Sequence, residues 1–210
     1  MAVEEKWAGS AAAEHYAGAR FANARAAGRD PRIVRALLAR HAPAAAARVL
    51  DAPCGSGRLA PALSGAARRV HLDANLPMLE TARAQLGDGA PLAGSLFALP
   101  FVERAFDVVV SCRFLHHLHG ADELERVVGE LVRVSRALVV ASFWDSASLP
   151  ALRVRLGLKR GEGPRGRVYR SRAELAAAFA RAGAPVVEFA PVLRFVSQQT
   201  FLAARRSDGA

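Results

Sequence analysis

Lysine is nearly absent from this 210-residue chain: Lys6 and Lys159 are the only two. The formal net charge of +10 is therefore carried by arginine, scattered along an alanine-rich sequence. Charge spread this way argues for a compositional bias and against a patch built for a phosphate backbone. Cysteine is as scarce. Cys54 and Cys112 stand at unrelated positions, which excludes a disulfide framework and a zinc site and leaves two reduced thiols, although each follows a strand expected beside the other. No apolar run approaches a membrane span. The opening Met-Ala-Val-Glu-Glu-Lys lacks the charged and apolar regions of a signal peptide, so a cytoplasmic location is expected. What the chain does have is apolar content, 52%, enough for one sizeable core in a single domain.

The most informative stretch is residues 49–58, Val-Leu-Asp-Ala-Pro-Cys-Gly-Ser-Gly-Arg. An apolar strand runs into an acid and then a glycine turn that is predicted to open a helix. Gly55 and Gly57 let backbone approach a ligand closely, and the N-terminus of a following helix offers unpaired N–H groups. With Ala60 the loop also fits Gly-x-Gly-x-x-Ala, the dinucleotide fingerprint. Electrostatics favours another ligand. Asp51, four residues before Gly55, would set a carboxylate against a pyrophosphate at low local dielectric. S-adenosylmethionine (SAM) has no phosphate; its ammonium and sulfonium are favoured by a carboxylate, and its own carboxylate suits a helix N-terminus. A dehydrogenase would also need a proton relay, and neither Tyr16 nor Tyr169 has a lysine four residues on. Residues 69–73 read as a second strand ending in Asp73, 22 residues after Asp51, where a carboxylate accepts both ribose hydroxyls of a nucleoside. Leu76-Pro77-Met78 then opens a helix, with Pro77 in the first turn and Met78 placed either against an adenine face or in the core.

These stretches, with residues 94–101 and 106–118, resemble a class I SAM-dependent methyltransferase of the small type 11 kind over about the first two thirds of the chain. The resemblance implies a single Rossmann-like α/β domain. Its sheet would be seven-stranded and mostly parallel, with an antiparallel last strand and helices on both faces. It places SAM against Asp51, Pro53, Gly55, Ser56, Gly57, Asp73, Ala74, Met78, Ser95, Leu96 and Ser111, with no metal. Three departures stand out. Pro53 occupies the place of the loop's first glycine. Ser95 stands where an aspartate often reaches the adenine, so adenine contact is expected from the Ser95 hydroxyl and the Leu96 backbone. A tight Val134-Ser135-Arg136-Ala137 replaces the Pro-Gly-Gly turn before the fifth strand.

Residues 1–42 are expected to form a helical lid segment, 43–204 the SAM-binding domain and 205–210 a frayed tail. In the lid, Asp30-Pro31 reads as a helix restart on a capping aspartate. Strands are expected at about 48–52, 69–73, 91–95, 106–111, 137–143, 185–190 and 193–203. Unbroken runs such as Val108-Val109-Val110 predict strands covered on both faces. A capping box, Asp122-x-x-Glu125, predicts a helix over 122–134 with Leu124, Val127, Val128 and Leu131 on one face. Another, Ser171-x-x-Glu174, starts a helix to Ala182 that Gly183 closes.

Methyl transfer is a direct displacement, so the protein mainly positions the acceptor and excludes water. Candidates for an optional general base are His116 and His117 after the fourth strand, and His15 and Tyr16 in the lid. In similar methyltransferases a histidine at this place is structural, which predicts a packed His117. Arg20 is the candidate for the cofactor carboxylate. The implied partner is a small or medium-sized acceptor, and nucleic acid is disfavoured. Residues 153–172, eight of them basic and interleaved with glycine, read as a solvated connection or as a holder of an anionic group. An RNA-directed methyltransferase, a dinucleotide oxidoreductase and a SAM-binding protein without catalysis are the competing readings.

Overall fold

The computed structural model describes residues 28–158 and 166–207. Fifteen short elements follow one another there. They run α1 (Arg29–His41), β1 (Arg48–Asp51), a 3-10 turn (Ala60–Ala62), β2 (Arg68–Asp73), α2 (Leu76–Leu86), β3 (Ala90–Ala93) and β4 (Phe106–Ser111). A second 3-10 turn (Leu115–His117), α3 (Ala121–Val134), β5 (Ser135–Asp145), α4 (Leu149–Arg155), β6 (Tyr169–Arg170), α5 (Arg172–Arg181), β7 (Val186–Pro191) and β8 (Gln199–Arg205) complete the order. The strands form one sheet in the order β3-β2-β1-β4-β5-β8-β7, and β8 alone runs antiparallel to its neighbours. The antiparallel last strand is therefore as expected. The sheet has eight strands and not seven, because β6 adds two residues in parallel beside Trp144 and Asp145; a two-residue strand has no periodicity to read.

The unbroken apolar runs sort themselves by alternation. Val108, Val110, Leu138 and Val140 enter the core under α1, with Val34 and Leu37. Val109, Val139 and Ala141 enter the opposite core, where α3 brings Leu124, Val127, Val128 and Leu131 and α5 brings Leu175 and Phe179. Both faces of the sheet are thus covered, and its carboxyl edge is left for a ligand.

Several local expectations are corrected. No α-helix follows the glycine loop; the chain makes turns and then the 3-10 turn at Ala60–Ala62. Pro61 has no N–H for an i−4 bond, so a helix cannot propagate through it. Asp30 does not cap α1 but sits buried in its first turn. The N-cap of α3 is Gly120, two residues earlier than expected, and the Glu123 carboxylate accepts from the N–H groups of His119 and Gly120. Ser171 does cap α5, accepting from Glu174 N–H, and Gly183 follows that helix at φ +87°. β8 begins at Gln199, since residues 192–198 form the turn before it. The expected fraying from Arg205 does not occur over Arg205–Ser207. Arg206 N–H donates to Ala137 O, and its guanidinium reaches the carbonyls of Val132, Arg133 and Ser135 at the end of α3.

Candidate functional site

The carboxyl ends of β1, β2 and β4 surround a cavity. Its walls include Pro53, Cys54, Gly55 and Ser56 from the loop after β1, Asp73, Ala74, Asn75 and Met78 around the start of α2, Leu96 after β3, and Cys112, Arg113, Phe114 and His117 after β4. Asp73 is the pivot of this arrangement. Its Oδ2 accepts from Gly55 N–H at 2.8 Å and its Oδ1 from Asn75 N–H at 2.9 Å. The carboxylate therefore holds the glycine loop and the α2 N-terminus at fixed positions around itself. Asn75 caps α2, accepting from Met78 N–H at 2.9 Å. Its Nδ2 is buried and has no partner among the described residues.

The two loop glycines do different work. Gly55 has φ +55°, and a Cβ built there would meet nothing within 4 Å, so its freedom serves the backbone turn and an open cavity. Gly57 lies outside the cavity wall. Its Cβ would press on Ala82 Cβ and Leu86 Cδ2 at 3.2 Å, so this glycine permits the loop to pack on α2.

Asp51 is expected at the ligand but is buried and does not line the cavity. The carboxylate is buried beside His71, Oδ2 to Nδ1 3.2 Å, while its Oδ1 and His71 Nε2 have no partner among the described residues. Burial pushes the Asp51 carboxyl up, against the lowering influence of the His71 hydrogen bond, the His71 charge and Arg58. The charge that the sequence argument placed against a pyrophosphate is correspondingly weakened. Ser111 is fully buried, with its hydroxyl unpartnered among the described residues and outside the cavity wall. Ser95 is likewise outside the wall; its Oγ accepts from Phe97 N–H at 3.1 Å, while Leu96 does face the cavity.

Of the two histidines, His116 is the packed one. It is buried and stacked on Trp144, centroids 4.9 Å apart at 13°. His117, expected to be packed, is half-buried and lines the cavity. His15, Tyr16 and Arg20 lie outside the described residues.

The positive charge at the cavity comes from two arginines that the sequence reading did not single out. Arg58 Nη1 and Arg113 Nε donate to the same oxygen of buried Asp30, at 2.7 and 2.9 Å. Arg113 is held at φ +62°, a conformation uncommon for a residue with a Cβ. Asp30 lies 28 and 83 residues from these partners, so no local pattern announces the cluster. Asn75 did carry a local signal, an N-cap residue just before Leu76-Pro77. Both cysteines face the cavity as thiols. Burial pushes Cys54 up, and pushes Cys112 up to about 11, so neither is a thiolate at neutral pH.

Comparison with known proteins fits this geometry. The sequence profile of a family described as "Methyltransferase domain" matches residues 50–138. A protein of Encephalitozoon cuniculi (strain GB-M1) that carries a provisional methyltransferase name is 41% identical over 88 residues, which is 41% of this chain and 39% of that one. The match thus spans well under half of the relative's length. Among solved structures, magnesium protoporphyrin IX methyltransferase from Synechocystis PCC 6803, with bound SAH, aligns with a TM-score of 0.75 at 17% identity, covering 98% of each chain. A SAM-dependent methyltransferase from Thermotoga maritima aligns with a TM-score of 0.69 at 15% identity, covering 98% of this chain and all of that one. At these identities the structural likeness is one of fold. The order of strands and the site at their carboxyl edge define a class I methyltransferase fold. Within it, residues 50–138, under half of the chain, match the type 11 methyltransferase domain profile.

Proposed function

We propose that the cavity binds SAM and that the protein is a methyltransferase acting on a small or medium-sized acceptor. The observation that carries this reading is Asp73: a carboxylate at the end of β2, facing the cavity and oriented by Gly55 N–H and Asn75 N–H. Such a group suits a ribose diol. Met78 and Leu96 supply apolar surface for an adenine, and the orphan Asn75 Nδ2 supplies a donor. Arg58 and Arg113 take the role assigned from sequence to Arg20, a guanidinium for the carboxylate of the cofactor's methionine end. Bound SAM supplies a methyl group already activated on a sulfonium sulfur. The chain's own task is then to hold the acceptor in line and exclude water. His117, which lines the cavity, would accept the acceptor's proton where one has to leave.

The cofactor reading rests on the diol and on two guanidiniums, not on a helix N-terminus, because the loop leads into a 3-10 turn. Incubation of the protein with a metabolite extract and methyl-labelled SAM, followed by mass spectrometry, is the test. Labelled product that depends on Asp73 is expected. A protein that binds SAM but labels nothing in small-molecule or RNA fractions would be a SAM-binding protein without transfer. Label confined to RNA would replace the acceptor class.

A further inference from the structure

β5 and β7 both end at the carboxyl edge of the sheet, and the chain leaving each of them builds one surface there. After β5, Leu149, Leu152 and Leu156 recur at helical spacing along α4 and its end, all three exposed. After β7, the turn 192–198 presents Phe195 and Val196. The two segments are joined: Leu149 N–H donates to Phe195 O at 2.7 Å. Leu156, Leu158, Phe195 and Val196 are between 60% and 74% exposed, so the two joined segments hold large apolar side chains in water. Phe195 is also held at φ +63°, a strained conformation for a bulky residue, at the tip where its ring is most exposed.

The charge that these two segments carry has one sign. Arg153, Arg155 and Arg194 are exposed within it, and residues 146–158 and 192–198 contain no aspartate or glutamate. None of the three arginines pairs with a carboxylate among the described residues. The Arg194 guanidinium lies 5.0 Å from the centroid of the Phe195 ring, so charge and apolar surface are interleaved.

We propose that this surface docks the protein peripherally on an anionic lipid bilayer. Exposed leucines with Phe195 and Val196 would enter the acyl boundary, and the three arginines would meet the headgroups. An apolar face alone would suit many partners; the exposed charge that these two segments carry is all positive, which selects an anionic one. No helix among the described residues is long and apolar enough to cross a membrane, so the attachment is to the surface. Because the cavity lies on the same edge of the sheet, docking brings that edge to the lipid. The surface itself stands independently of the chemistry in the cavity.

The test is co-sedimentation of the full chain with phosphatidylcholine vesicles, with and without phosphatidylglycerol, at low and raised salt. Binding to the anionic vesicles alone is expected, and salt should weaken it. Arg153→Ser with Arg155→Ser and Arg194→Ser should lose about a hundredfold in affinity, about fivefold per arginine. Leu156→Ser with Phe195→Ser should also release the vesicles with charge unaltered. In both variants circular dichroism and ligand titration at the cavity should match the parent. No binding to anionic vesicles at low salt, equal binding to neutral ones, or full binding by the Leu156/Phe195 variant would each overturn the proposal. So would a parent dimer that becomes a monomer in that variant, which would assign the surface to a second copy of the chain. RNA binding without vesicle binding, lost in the arginine variant, would overturn it as well.

Discussion

Replacing Asp73 by Asn changes few atoms and tests the cofactor geometry at its pivot. An ionised carboxylate accepts at about four lone-pair sites, and the N–H groups of Gly55 and Asn75 address one oxygen each. In Asp73→Asn one oxygen becomes an NH2 group that must face an N–H donor. The variant therefore loses one backbone bond and one acceptor for the ribose diol, along with the charge that strengthens the others. A hydrogen bond to a charged group contributes about 1.5 to 3 kcal/mol, so affinity for SAM and for its demethylated product should both fall by about 10- to 150-fold. Calorimetric titration of parent and variant, with circular dichroism as the control for folding, gives the ratio. A folded Asp73→Asn protein that binds SAM within about threefold of the parent, under half of one such bond, would show that Asp73 does not hold the ribose.

Three further outcomes follow from the geometry. Gly55→Ala and Gly57→Ala should separate binding from stability. Gly55→Ala should impair SAM binding with only backbone strain as its folding cost, whereas Gly57→Ala adds a clash with Ala82 and Leu86 and should lose on the order of 2 kcal/mol, seen as a larger drop in Tm. Burial raises the Asp51 carboxyl, so the native state keeps a proton that the unfolded chain releases above about pH 3.9, and this group costs stability as pH rises through its native value. Asp51→Asn lacks that cost; urea unfolding across pH should show the variant gaining on the parent as pH rises from about 4, and a pH-independent difference would count against it. Arg170→Ser should lower Tm, because the buried guanidinium donates to Leu118 O and Gly120 O and pairs with Glu174; the unsatisfied carbonyls cost about 1 to 3 kcal/mol, and an unchanged Tm would show that solvent replaces it.

What was legible in the sequence is what alternation and local chemistry determine. Val108-Val109-Val110 had to be covered on both faces, and it is. Ser171 and Gly183 each marked one end of α5 by local chemistry. Errors arose where a single residue overrode a pattern. Pro61 stopped the helix that the glycine loop seemed to open, and Gly120 took the cap that Asp122 seemed to offer. The rest depended on distance along the chain. The basic connection is the clearest case: Arg170 is buried against Leu118 O, and Val168 N–H donates to His116 O, so part of what reads as a solvated loop is packed against the histidine segment. The pairing of Asp30 with Arg58 and Arg113 belongs to the same class, since only the fold brings those three together.

Selection of SAM over a dinucleotide is the property on which the proposed function stands. Equilibrium dialysis of the full chain against SAM, its demethylated product and NAD separates them most directly. Saturable binding of the first two at one site is expected, each displacing the other, with no competition from NAD. Binding of NAD in preference to SAM, or displacement of SAM by NAD at comparable concentration, would contradict it.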